Sequence, residues 1–539
     1  MRNLVVIFLF LISFLGYSQV IPPDAWVYFN DKPNAAAFFS NPLSELSQRA
    51  LDRRSNQGIA LDVSDAPIEQ AYIDQITAAT GIEVMAKSKW LNCLHIRGSV
   101  TDINALTSLS FVNHVHFADN SLNAKNAIPK LIHPVNKQLN VQVTYNYGTS
   151  ANQIQMLNVN LLHQQNYTGS GKVIAVLDAG FPGVDTAAPF QNLIANNQIL
   201  GGYDYVNKST DFYTGYQHGT MVLSTMGGYQ SGQLIGTAPD AKYYLYITED
   251  INSENPVEES NWVEAAEEAD RVGVDIITSS LGYFAFDNVA YGHTYADMTG
   301  NAAFASQGAN IAFSKGIVVV ASAGNDGGSS EPHVGVPAEA THVLAIGAVQ
   351  ANRIYATFSS VGPTFDNRIK PDVMAQGQNS VISDPSGTIT TGSGTSFSGP
   401  IMAGSIASFW QAVPNLTNQQ IVDFVKQSAD RFANPNNQYG YGIPDFESAL
   451  NSAQLSVNQN SAGRFLVYPN PVYHTLFVSF PPSFSEASIS FYNTLGQVVY
   501  KKNIQNSETT LSLDNLNSGI YFYKIKSNSF VQTGKIIKN

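Results

Sequence analysis

Three apolar runs constrain this chain more than anything else in it. Val173-Ile174-Ala175-Val176-Leu177 carries no polar residue and passes straight into Asp178-Ala179-Gly180. Val274-Asp275-Ile276-Ile277 leads to Ser279-Ser280-Leu281-Gly282, and Ile317-Val318-Val319-Val320 to Ser322-Ala323-Gly324-Asn325. A strand with one wet face alternates. A strand apolar at successive positions is buried on both faces, as in a parallel sheet covered by helices. Helical stretches, Trp262–Val272 and Ala302–Lys315, precede two of the runs. This βαβ alternation predicts an α/β domain. Open sheets of that kind hold their sites outside the carboxyl ends of the strands. Asp178, Ser280 and Asn325 all fall just past such ends.

A second stretch carries the chemistry. Gly392-Ser393-Gly394-Thr395-Ser396-Phe397-Ser398-Gly399-Pro400 packs glycines around one hydroxyl, and an apolar run from Ile401 to Trp410 follows. The pattern reads as a loop feeding a buried helix, with Ser396 at the helix N-terminus. Free backbone N–H groups there can bind a developing negative charge. Pro400 is expected in about the first turn, where a missing N–H costs least. A serine in this place can also simply cap the helix.

Nucleophilic catalysis by serine needs a base, a carboxylate that orients it, and donors for the oxyanion. His218 is the base candidate. Of His218, His293, His333 and His342, it alone opens a helix beside a glycine, in Gln217-His218-Gly219-Thr220. Asp178 is the orienter candidate, since a carboxylate ending an apolar strand is expensive unless paired, the alternative being a solvated loop residue. Asn325 is the oxyanion candidate, although Asn325-Asp326-Gly327 is also good turn chemistry. The order Asp178, His218, Ser396 excludes the α/β-hydrolase arrangement, which runs serine, acid, histidine.

With these residues in place, the region from about 145 to 450 resembles a subtilisin-like serine protease, or subtilase. Val-Leu-Asp-Ala-Gly at 176–180, His-Gly-Thr at 218–220, Ser-Ala-Gly-Asn at 322–325 and Gly-Thr-Ser-Phe-Ser-Gly-Pro at 394–400 match in order. Ser280-Leu281-Gly282, Phe358–Pro363, Lys370–Val373 and Tyr439–Gly442 match less specifically. The resemblance implies a doubly wound, mostly parallel sheet. It implies Asp178, His218 and Ser396 as catalytic triad and Asn325 as oxyanion donor. Ser280, Leu281, Gly282, Ala323 and Gly324 would line the substrate channel, where an extended peptide pairs as an added strand. Met221 stands where the family usually has a second histidine, and Phe397-Ser398-Gly399 replaces its Met-Ala-Ser. Neither change removes a catalytic group.

The flanks extend the likeness. Residues 20–120 read close to β-α-β-β-α-β, with strands near Trp26–Phe29, Ile82–Ala86, Trp90–Ile96 and Phe111–Phe117. They resemble a ferredoxin-like subtilase propeptide that inhibits its own protease. Residues 120–145, with Pro129 and Pro134, form an expected cleavable linker. After about 456 come short β-branched and aromatic strands of a small β-sandwich, with seven Lys/Arg against three Asp/Glu. Tyr468-Pro469-Asn470-Pro471 and the segment Gly519–Ile525 resemble a C-terminal sorting domain of type IX secretion.

Met1-Arg2-Asn3 and the apolar Leu4–Leu15 look like a secretory signal peptide cut before Gln19. The run is short of the about 20 apolar residues of a spanning helix. The expected domains are therefore 1–18 signal, 19–143 propeptide with linker, 144–455 peptidase and 456–539 sorting domain. Localisation would be secreted or at the outer cell surface, via the periplasm. A net charge of −13 argues against a nucleic-acid partner, and Cys93 alone permits neither an internal disulfide nor a Cys-based metal site. The expected partners are polypeptide substrates, the chain's own propeptide and the type IX machinery. The chemistry needs no cofactor. Asp211, Glu249, Asp250 and Asp326 could bind structural calcium, but no spacing marks a site. Two rival readings are an inactive subtilase-like binding module, which would have lost a triad member, and an adhesin, which would carry a ligand cluster in the β-domain.

Overall fold

The structure is a computed structural model that describes residues 22–123, 145–462, 465–480, 484–505, 510–527 and 530–539. The signal peptide and nearly all of the 120–145 linker lie outside the described residues. Among the described residues no helix is long and apolar enough to cross a membrane.

The N-terminal unit is an antiparallel sheet of β1 (Asp24–Phe29), β2 (Ile82–Ser88), β3 (Cys93–Gly98) and β4 (Val112–Phe117), in the order β2-β3-β1-β4. Between β1 and β2 run α1 (Gln48–Gln57) and α2 (Gln70–Thr77), and α3 (Val100–Ala105) links β3 to β4. α2 turns Ile76, fully buried, into the core under the sheet, and Ile68 is buried just ahead of the helix. Cys93 is buried in β3, and burial pushes its thiol well up, which makes it inert packing.

The central unit is built on seven strands: β5 (Val173–Asp178), β6 (Ile199–Asp204), β7 (Lys242–Ile247), β8 (Ile276–Ser279), β9 (Val318–Ser322), β10 (Leu344–Val349) and β11 (Val373–Gln376). Their order is β11-β10-β9-β8-β5-β7-β6, and every neighbouring pair is parallel. The three apolar runs thus lie side by side in the middle, as β5, β8 and β9. Each serves two cores at once. Ile174 and Val176 of β5 pack with Ile401, Met402 and Ile406 of one helix layer, whereas Val173, Ala175 and Leu177 pack with Trp262, Val263 and Ala309 of the other.

Four helices position the site: α4 (His218–Gly227), α5 (Val257–Val272), α6 (Phe304–Ser314) and α7 (Thr395–Ala412). α5 starts five residues before the expected Trp262. Its first turns are Glu258, Glu259, Ser260 and Asn261, which are polar yet buried, so no apolar period announces them. The acids suit the positive end of the helix, and Gly273 at φ +86° closes the other end. α7 is apolar nearly all round because it runs through the core.

The C-terminal unit has two facing sheets. β14 (Leu466–Tyr468), β15 (Thr475–Ser479) and β18 (Thr510–Ser512) form one; β16 (Glu486–Tyr492), β17 (Val498–Gln505), β19 (Gly519–Ser527) and β20 (Phe530–Lys538) form the other. Leu476, Val478, Ile489, Phe491, Leu511 and Ile525 fill the space between them. This is the expected small sandwich, in which β14 and β20 have the weakest strand signal. β20 alternates but carries Gln532, Thr533, Gly534 and Lys535, a composition that reads as loop. A last helix, α8 (Phe446–Ala462), buries Phe446, Ala449 and Leu450 in the central core and runs on past residue 455.

The N-terminal unit docks on α5. Glu267 accepts the Ser88 hydroxyl at 2.7 Å, the Lys89 N–H at 3.0 Å and the Trp90 N–H at 2.9 Å. Trp26 donates its indole N–H to Ser260 at 2.9 Å and stacks on Phe304. Asp270 receives both Arg53 and Arg54, with all three side chains buried. The interface is a set of desolvated, paired charges, so losing one partner leaves another stranded.

Two of the weaker motifs meet at a buried ammonium. Lys370 is 2% exposed and donates to the carbonyls of Ala340 (3.2 Å) and Val343 (2.7 Å) and to Asp372 (2.8 Å). A Cβ at Gly440 would lie 2.1 Å from the Pro371 carbonyl, so only glycine lets the Tyr439–Gly442 turn pack there. Lys370→Met should cost about 3 kcal/mol, the lower end for breaking a buried pair, because Lys426 still faces Asp372. Denaturant unfolding of the catalytically silenced precursor checks this. A change below about 0.5 kcal/mol, the scale of an ordinary surface substitution, would mean the cage is not stabilising.

Candidate active site

Asp178 ends β5 with its side chain fully buried. One carboxylate oxygen accepts the Ala179 N–H at 2.8 Å and His218 Nδ1 at 2.7 Å. His218 opens α4, and the loop before it is tied to the turn after β5: Tyr216 N–H donates to Ala179 at 2.9 Å and Phe181 N–H to Thr214 at 2.8 Å. The glycine beside the histidine has a steric reason. A Cβ at Gly219 would sit 2.5 Å from the Gly180 carbonyl and 2.7 Å from the Phe181 ring. Without it the helix could not come down onto the strand end. Burial lowers the affinity of His218 for a proton, but the Asp178 charge and hydrogen bond outweigh it, and the net shift is upward.

Ser396 is the second residue of α7 and half-buried. The helix starts earlier than expected, so Pro400 lies in its second turn rather than its first. A residue there would normally donate its N–H to the carbonyl four back, which is that of Ser396. Proline leaves this acceptor open, and the Ser280 hydroxyl fills it at 3.0 Å. Ser322 Oγ bonds the neighbouring Thr395 carbonyl at 2.8 Å, and Gly399 leaves room for it: a Cβ there would be 2.7 Å from that hydroxyl. The ends of β8 and β9 thus hold the first turn of α7 from below.

Asn325 is fixed by its carbonyl end. Its Oδ1 accepts the Thr395 N–H at 2.9 Å and the Thr395 hydroxyl at 3.1 Å, which commits the oxygen and leaves the amide nitrogen for another partner. Gly324, at φ +106°, makes the turn possible; a Cβ would meet Ser360 Oγ at 2.6 Å. Thr395 went unnoticed in the sequence reading, although it sits between Gly394 and Ser396 and could have been examined as the partner of Asn325.

His218, Asn325 and Ser396 line one open cleft of about 540 Å³, with Met221 and Phe397 in its walls. Asp178 stands behind His218. Ser280 reaches the same turn from beneath. Leu281 is half-buried and Gly282 exposed along the strand edge, whereas Ala323 is 1% exposed and Gly324 donates its N–H to Thr395 Oγ1 at 3.2 Å. Of the four acids considered for calcium, only Glu249 belongs, among the described residues, to a group of three potential ligands, with Glu254 and Glu258.

Comparison with known proteins agrees with this geometry. Residues 169–442 match the family model described as the subtilase family, residues 24–132 that of a peptidase S8 propeptide domain of Bacteroidota, and residues 466–539 that of a secretion system C-terminal sorting domain. Subtilisin NAT of Bacillus subtilis subsp. natto and subtilisin E of Bacillus subtilis are each 32% identical over 299 residues, covering 55% of this chain and 70% of theirs. Subtilisin DY of Bacillus licheniformis is 30% identical over 298 residues, covering 55% of this chain and 97% of its own. The sorting domain directs the protein through type IX secretion to the cell surface or beyond. The chain belongs to the subtilase family: it is a serine endopeptidase made with a propeptide in front and a secretion sorting domain behind.

Proposed function

We propose that Ser396 attacks the scissile carbonyl of a polypeptide, with His218 as general base and then general acid. Asp178 engages Nδ1, which fixes the tautomer and leaves Nε2 to serve Ser396, and it stabilises the imidazolium as it forms. The oxyanion is held by the Ser396 N–H, one of the first N–H groups of α7 without a helical partner, and by the amide of Asn325. Leu281 and Gly282 offer the edge for an extended substrate. No cofactor enters this chemistry. The observation that carries the reading is the 2.7 Å Asp178–His218 bond at the mouth of a cleft shared with Ser396.

A serine-directed phosphonate tests it. Peptide mapping should find one labelled serine, Ser396. Attack needs neutral His218, whose proton affinity is raised, so the labelling rate should fall as pH drops through a value above the ordinary imidazole 6.5. A label elsewhere would reject the assignment.

The precursor organisation follows the same reading: signal 1–18, propeptide and linker 19–143, peptidase 144–455, sorting domain 456–539. The N-terminal unit acts as inhibitor and is released by cutting in the linker. The β-sandwich supplies no group to the cleft. A chain ending at Ala462, where α8 ends, should therefore hydrolyse a small peptide at the full-length rate per titrated site. A folded but inactive product would show that the sandwich belongs to the site.

A further inference from the structure

Three glutamates converge beside the strand that ends in Asp178. Glu249 follows β7 by two residues, Glu254 lies in the next loop and Glu258 in the first turn of α5; a carboxylate oxygen of each lies within 4.8 Å of the others. They are not equivalent. Both oxygens of Glu258 are committed, to the N–H groups of Asp250 and Asn255 at 2.9 Å each. Glu249 is less committed: its Oε2 is buried without a hydrogen bond of good geometry, and the donor that faces the carboxylate is the Tyr283 hydroxyl. Tyr283 is 1% exposed, and its hydroxyl faces the same carboxylates, buried and without a hydrogen bond of good geometry. Glu254 is exposed and forms the mouth.

Among the described residues, the largest charges acting on Glu249 are those of Glu258, Glu254 and Asp178, all carboxylates. Burial first, and then these carboxylates, push Glu249 up to about 9; burial pushes Glu258 up to about 8. The nearby imidazole, His293, pairs with Glu259 instead. A buried acidic pair this close is stable only when protonated or when a cation arrives.

Position says where the cation comes from. Ile247 at the end of β7 pairs with Asp178, and Thr248 N–H donates to the Asp178 carbonyl at 3.0 Å. On the other side of β5, Ser279 pairs with Leu177 and leads through Ser280-Leu281-Gly282 to Tyr283. The edge is uncovered: a Cβ at Gly282 would meet only the Val336 carbonyl, at 3.6 Å. Tyr283, whose hydroxyl faces Glu249, directly follows this open edge. We propose that Glu249 and Glu254, over a floor of Glu258 and Tyr283, form a subsite for a lysine or arginine side chain of the substrate, at a position removed from the scissile bond. This rests on the peptidase reading above. A calcium ion fits less well, since it takes six to eight oxygens and Glu258 has already given both of its own to backbone N–H groups. An ammonium or guanidinium is satisfied by the few acceptors that remain.

Digestion of a denatured protein mixture by the mature enzyme should show lysine and arginine enriched at one fixed position that does not flank the cut. Two peptides differing only there, lysine against norleucine, then give a ratio of kcat/KM. In Glu249→Gln with Glu254→Gln that ratio should fall about ten-fold or more, the size of a lost charge pair. Glu254→Lys, at an exposed site that cannot compromise the core, should turn the preference toward an acidic residue. Rates are taken per titrated site, so a partly folded variant does not mimic the effect. No enrichment away from the bond, or an unchanged ratio, overturns the proposal. So does calcium binding in titration with calcium chloride that Glu249→Gln abolishes while the enzyme shows no lysine preference. A wild-type chain that neither cleaves nor takes the phosphonate rejects the peptidase reading itself, a different outcome from cleavage without a basic preference.

Discussion

Ser396→Ala should lower kcat by about 10⁶, the loss found when a subtilisin is stripped of its nucleophile. The hydroxyls that hold the first turn of α7 are not free to substitute. Those of Ser280, Ser322 and Ser398 are spent on backbone carbonyls in the first turn of α7, and that of Thr395 on Asn325 Oδ1. That same division of labour predicts an intact fold. The turn is held by those hydroxyls and by the Thr395 N–H on Asn325, so removing the Ser396 oxygen releases no structural bond. The check is steady-state hydrolysis of a small peptide beside the thermal melt of the variant. A residual rate within ten-fold of the parent, with an unchanged melt, would move the nucleophile elsewhere. A lost melt would make Ser396 structural.

Asn325→Ala should lower kcat by about 10²–10³, or about 2.7–4 kcal/mol, with little change in KM; the size is that known for losing one such donor from a subtilisin. The asymmetry between the two constants is the point. The oxyanion exists only in the transition state, so a donor aimed at it stabilises little in the ground state. Asn325 also has a second task, since its oxygen anchors Thr395, and alanine removes both. Asn325→Asp separates them: it keeps an acceptor for Thr395 and replaces the amide donor with a charge that repels the oxyanion. Both variants should lose kcat, and the aspartate should keep more stability. If the aspartate retains the parent kcat per titrated site, the oxyanion is held by backbone donors alone.

The sheet and its site were legible in the sequence to different depths. The central strands β5, β8 and β9 could be read because burial on both faces removes polar residues from them, and composition records burial directly. Their carboxyl ends pointed to Asp178, Ser280 and Asn325 because a parallel sheet leaves its loops there. The motif at 394–400 announced Ser396, since packing a helix against two strand ends requires glycines and small hydroxyls. Elements whose residues are polar for reasons outside themselves could not be read. The first turns of α5 look like loop, and β20 looks like loop as well, because Glu258, Glu259 and Lys535 answer to partners or solvent that no local window contains. The position of Pro400 was misplaced by a turn, since a helix start is set by what its first N–H groups meet, here the Asn325 oxygen 70 residues earlier.

The sequence alone therefore determined the layer architecture, the order of the chemical groups and the identity of the three that resemble a triad, because each follows from a local pattern of burial or from a short motif. Only the tertiary structure decided that the Ser280 hydroxyl occupies the acceptor freed by Pro400, that Thr395 orients Asn325, and that Glu249, Glu254 and Glu258 come together in one cluster. Those are contacts between side chains on different strand ends. Their energies depend on distances of a few ångströms that the parallel stacking of β7, β5, β8 and β9 creates and that no linear spacing encodes.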